Sequence, residues 1–103
     1  MSLTSEQMKE LAFKNSPFVK LKDGETSRIC RLIECKEIPS RQDPNKTTYQ
    51  YKLEFSDDAG SHTKFFESSS NKLLVTMSDC IGKTIQIKRT GTGTQTQYEV
   101  FLA

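Results

Sequence analysis

At 103 residues the chain can bury one modest core and has no room for a second domain. Its 34% apolar content is spread in periodic segments, which excludes a disordered chain, and no apolar run is long enough to cross a membrane. A net charge of +2 is too weak to argue for nucleic acid by itself.

Taken in order, Leu3-Thr4-Ser5-Glu6-Gln7-Met8 predicts a helix start. Thr4 caps, Gln7 completes a capping box, and Leu3 can staple onto Met8. Leu11 and Ala12 continue an apolar stripe to about Asn15, and Pro17 blocks further helix. A short helix of this kind suits plugging a barrel end or packing on a partner. Phe18 to Thr26 reads as a short strand or extended lead-in ending in an Asp23-Gly24 turn. Ser27 to Ile38 is the longest strand candidate. Ile29 and Ile33 share one face while Cys30, Leu32 and Ile38 take the other, as expected of a long, bent strand shared between two sheets.

Pro39 to Lys46 is a loop with two prolines. Thr48 to Phe55 is a strand with Tyr49, Tyr51, Leu53 and Phe55 on one face and Thr48, Gln50, Lys52 and Glu54 on the other. Ser56 to Ser61 is its hairpin turn, and Thr63 to Glu67 the partner strand. The period then becomes helical: Ser68-Ser69-Ser70-Asn71 offers caps, Leu73, Leu74, Met77, Cys80 and Ile81 recur at helical spacing, and Gly82 is a natural stop. Ile85 and Ile87, then Tyr98, Val100 and Leu102, alternate as two strands of a hairpin. Its tip, Thr90-Gly91-Thr92-Gly93-Thr94-Gln95, reads as mobile and hydroxyl-rich, with Lys88-Arg89 at its base.

Five short strands with one helix between the third and fourth is the order of the OB-fold, a small, partly open Greek-key barrel. The expected architecture is therefore mainly β, β1-β2-β3-α-β4-β5, with residues 1–17 a helical extension and 18–103 the OB-fold domain. Phe18-Val19-Lys20-Leu21-Lys22-Asp23-Gly24-Glu25, leading into Arg28-Ile29-Cys30-Arg31-Leu32-Ile33, resembles the opening of phage-type single-stranded-DNA-binding proteins. Gly82 to Gly93 and Tyr98-Glu99-Val100 are similar to the end of such domains, although this chain has no tryptophan. The resemblance implies that the second and third strands, the first loop and the last hairpin form the binding surface. It further implies a phage-encoded protein acting in a bacterial host, in replication or recombination, alone or as a homo-oligomer.

Charge adds to that expectation. Residues 27–52 carry a balance of +3 and residues 83–103 of +2, against −3 for residues 53–82. If the first loop and last hairpin are neighbours, a basic face results. A single-strand site needs aromatic faces for bases and cations along the backbone. Candidates for stacking are Tyr49, Tyr51, Phe65, Phe66 and Tyr98, and for phosphate Arg41, Lys46, Lys52, Lys64, Lys88 and Arg89. The tyrosines share a face with Leu53 and Phe55, so at least one should line the interior. Phe65 and Phe66 are adjacent in a strand, so only one can.

An enzyme is not expected. His62, the single histidine, stands near a turn with no nucleophile or metal-ligand spacing around it, and no cofactor is called for. Asp57-Asp58 suits turn chemistry. Cys30, Cys35 and Cys80 fit neither a zinc knuckle nor a local disulfide, and free thiols in a reducing cytoplasm are expected. The competing reading is an OB-like protein-interaction module that joins a larger, viral assembly through its N-terminal helix or an edge strand. An oligosaccharide binder is a third.

Overall fold

The structure, a computed structural model, describes residues 2–57 and 60–103. Five antiparallel strands form one sheet in the order β3-β2-β1-β4-β5, with one helix on either side of the first three strands in sequence. The strands are β1 (Cys30–Pro39), β2 (Thr47–Asp57), β3 (Gly60–Ser68), β4 (Thr84–Thr90) and β5 (Gln97–Leu102). The helices are α1 (Ser5–Asn15) and α2 (Asn71–Ser78). Along the chain the elements follow the expected β1-β2-β3-α-β4-β5 succession, in an OB-like, mainly β fold. The sheet is not closed: closure would need β5 to reach β3, and neither neighbours the other.

The long bent first strand is present. It starts at Cys30 rather than Ser27: its lower end pairs with β4 at Cys30 and Arg31, preceded by an isolated Thr26–Lys88 bridge, and its upper end runs along β2, from Arg31 opposite Glu54 to Pro39 opposite Thr47. Ser27 reinforces the first half, its N–H donating to the Ile87 carbonyl at 2.7 Å while its hydroxyl accepts from the Ile87 N–H at 2.9 Å. The irregular parity of the sequence has a cause in a register shift between Leu32 and Glu34. The extra residue, Ile33, passes the inward position from Leu32 to Cys35, so the strand changes buried face part-way along.

Alternation then builds the core. Cys30 and Leu32 of β1, Tyr51, Leu53 and Phe55 of β2, Phe66 of β3 and Ile85 and Ile87 of β4 are buried on one side. Leu73 and Met77 of α2 pack against them. Ser70 caps α2, its hydroxyl accepting from the Leu73 N–H at 3.2 Å. That helix stops at Ser78, a turn earlier than the glycine predicts. Cys80 N–H bonds the Met77 carbonyl, and Gly82, at φ +81°, instead donates to the Leu32 carbonyl at 2.7 Å, joining the turn to β1.

The capping box of α1 forms as read, between Thr4 and Gln7. The helix does not plug the barrel: its described side chains from Ser5 to Ala12 are exposed, and the Arg28–Glu10 ion pair at 2.6 Å tethers it. The residues after it are better held. Phe65 donates to the Pro17 carbonyl, Val19 donates back to the Phe65 carbonyl, and Phe18 bridges Phe65 in parallel. Pro17–Val19 thus forms a strap along the outer edge of β3. The register of β2 and β3 reaches Asp57 opposite Gly60. The rest of the predicted turn, Asp58 and Ala59, lies outside the described residues. None of the described helices is long and apolar enough to cross a membrane.

Candidate nucleic-acid interface

Two loops distant in sequence meet above β3. The first, between β1 and β2, is closed by the Ser40 N–H to the Lys46 carbonyl at 2.8 Å, and within it Lys46 N–H bonds the Asp43 carbonyl around Pro44. The second is the tip of the β4–β5 hairpin. It contains a 3₁₀ turn over Gly93–Gln95 and is fixed at its base by Gly91 N–H to Asp23 Oδ1 at 2.8 Å. Between these loops and the end of β3 lies a groove of about 590 Å³. Its walls carry the hydroxyls of Ser40, Ser68, Ser69, Ser70 and Thr96, together with Tyr98. Tyr98 stands edge-on to Phe66, with centroids 5.2 Å apart at 88°.

Arg41 and Glu67 also border this groove, and they border a smaller hollow of about 260 Å³ with Phe18 and Phe65. Arg41 donates from Nε to Glu67 Oε1 at 2.9 Å and from Nη2 to Oε2 at 3.0 Å, a planar bidentate pair. Gln50 Nε2 donates to the same carboxylate at 2.9 Å. The guanidinium lies over the Phe18 ring, 4.9 Å from its centroid. The hydrogen bond from Arg41 holds the Glu67 carboxyl below its ordinary range, and the same contact raises Arg41.

No protein-family model, curated protein or solved structure matches this chain.

The predicted site residues divide under this geometry. Phe66 is the core partner and Phe65 the half-buried one, facing outward opposite Lys52. Tyr51 is removed from the stacking set because it is completely buried, with a phenol that finds no hydrogen-bond partner among the described residues; burial raises its pKa. Tyr49 is half-buried and packs on the core. Lys64 is removed from the phosphate set. It takes an inward position opposite Leu53, is buried, and its ammonium donates to the Ser16 carbonyl that precedes the strap. Burial is the main cause lowering its pKa.

Arg89 is also committed elsewhere, donating to the Leu21 carbonyl at 2.7 Å and the Gly91 carbonyl at 3.3 Å, so it braces the hairpin. Lys46 is exposed and Lys52 and Lys88 are half-buried, but none lines the groove. The two loops are neighbours as supposed, yet the cation between them is already paired, and Arg31 and Lys36 on the outer face of β1 pair with Glu54 and Glu34. The groove is polar and nearly neutral rather than strongly basic.

Sequence reasoning missed Phe18, Gln50 and Glu67. Phe18 was legible only as a lead-in residue, because its place depends on a parallel bridge to β3. Glu67 was a surface acid at the end of a strand. Of the triple serine, Ser70 alone caps the helix, while Ser68 and Ser69 line the groove.

Proposed function

We propose that this chain binds single-stranded nucleic acid in the groove between the β1–β2 loop and the β4–β5 hairpin, without bond chemistry. One observation carries the reading. In an OB-like fold, two converging loops enclose an open polar groove that continues past Arg41 into a hollow walled by Phe18 and Phe65. Aromatic and guanidinium faces suit unstacked bases, and hydroxyls and backbone N–H groups suit sugar and phosphate. The resemblance to phage-type single-stranded-DNA-binding proteins favours DNA, little sequence preference, and a sequestering role in replication or recombination.

Fluorescence anisotropy of labelled single-stranded and duplex oligonucleotides over a salt series tests this. The expected result is preference for the single strand with a shallow salt dependence, because Arg41, the cation bordering the groove, is paired with Glu67. Absence of binding at low salt overturns it. The second reading, a protein-interaction module, is favoured by α1, whose Leu3, Met8 and Leu11 flank are exposed at 55%, 58% and 43%. A module of that kind ignores both oligonucleotides.

A further inference from the structure

The geometry points to Arg41 as a plate on which a base stacks, rather than as a phosphate contact. This rests on the groove being a single-strand site and assigns one subsite within it. A guanidinium offers a planar face and five N–H donors. Here the Nε and Nη2 donors on one edge are taken by Glu67, and one face lies on the Phe18 ring. The opposite face has no aromatic neighbour among the described residues, and the side chain is 61% exposed. Because Arg41 and Glu67 are the two residues shared by the groove and the hollow, the pair stands as a partition between them.

Two effects compete at such a group. Its charge is largely cancelled by a carboxylate that Gln50 also holds, so the attraction for a phosphate is weakened, and an arriving phosphate meets Glu67 as well. Its planarity is untouched by the pairing. The rotamer freedom that an arginine usually loses on stacking has already been given up to Glu67 and Phe18, so the plate is preorganised. Stacking of a base on an arginine plane needs only the free face. Glu67 and Gln50 are then positioning residues, and Phe18 is the backing of the plate.

The test measures Arg41→Lys and Arg41→Ala against the wild type, using labelled oligothymidylate and an abasic strand of equal length over a salt series. Lysine keeps the charge and loses the plane. For a stacking plate Arg41→Lys, which keeps the charge that balances Glu67, binds oligothymidylate about 5- to 150-fold more weakly, the worth of one base stack, with the salt slope and the abasic affinity unchanged, and Arg41→Ala, which leaves Glu67 unbalanced, loses at least as much. Three results overturn the assignment while leaving the single-strand reading intact. In one, Arg41→Lys binds like the wild type. In another, Arg41→Lys weakens the abasic strand as much as oligothymidylate, as loss of a backbone contact does. In the third, neither variant changes anything. A wild type that binds neither strand removes the single-strand reading and this subsite together. Arg41 is exposed in a loop, so thermal melts of both variants should match the wild type.

Discussion

At the scale of single residues, the adjacent pair Phe65-Phe66 shows what a sequence can decide. Alternation makes it certain that the two rings face apart, but not which way, because that depends on where β3 pairs with β2. The register opposite Tyr51 puts Phe66 inside, 6.2 Å from the tyrosine ring and under Tyr98. Phe66→Ala should therefore cost about 3–5 kcal/mol through the cavity it leaves. Phe65→Ala should leave the melting temperature nearly unchanged and weaken oligonucleotide binding by about 1–3 kcal/mol. Denaturant melts and anisotropy on the same two proteins separate the outcomes. If both substitutions only unfold the chain, the hollow beside Phe65 is not a binding surface. Lys64 shows the limit of sequence reading more sharply. A lysine on a strand is ordinarily solvated, and the Ser16 carbonyl, brought to this one by the segment that leads into the strap, is a partner the sequence does not announce.

At the scale of elements, period and punctuation made most of the chain legible. The strand order, the bent first strand and the cap of α1 could all be read from alternation, turn residues and a capping box. What could not be read came from distant partners. The Leu32–Glu34 register shift depends on β2, the early end of α2 depends on the turn that bonds β1, and the order of the hairpin tip depends on Asp23 and Arg89. The tip contains a sharp test. Gly91 has φ +87°, and a Cβ there would come 2.3 Å from the Gln95 carbonyl oxygen. Gly91→Ala should therefore destabilise the hairpin by roughly 1–3 kcal/mol, the cost of a strained backbone position, and should weaken oligonucleotide binding by displacing Thr96 and Tyr98. Hydrogen exchange at β5 amides is the direct readout, with faster exchange in the variant expected. Gly82→Ala meets open space and suffers only the strain of its positive φ.

At the scale of the whole molecule, the interior sets the response to alkaline pH. Burial pushes the Cys30 thiol up to about 11 from an ordinary 9.0, a hydrogen bond from Ser27 opposing it, and the enclosed Tyr51 phenol is raised in the same sense. An acid whose folded pKa is raised is fully stabilising below its unfolded value. Above pH 9.0 the unfolded thiol ionises while the folded one cannot, so the unfolded state binds fewer protons and stability falls as pH rises towards about 11. The shift corresponds to about 2–3 kcal/mol. Lys64, whose pKa is lowered, acts in the opposite sense over the interval below 10.5. Comparing the pH dependence of urea unfolding in the wild type and in Cys30→Ala isolates the thiol. The variant should start less stable but lose less between pH 9 and 11, and parallel slopes would show that the thiol is not enclosed as described.

The seam of this sheet also has a consequence for when the protein becomes competent during synthesis. The β1–β2–β3 meander joins neighbours along the chain and can form as soon as Ser68 has emerged. The contacts that seat β4 cannot form until much later, since Ser27 and Ile87 stand 60 positions apart, and such distant pairings form slowly because a long loop must close first. The groove needs residues from both ends of that delay, Ser40 and Arg41 from the meander and Gly93 to Tyr98 from the final hairpin. A partly made chain that ends before the hairpin therefore has no complete groove, even where the meander has paired. Whatever the groove takes up waits until the β4–β5 hairpin has left the ribosome.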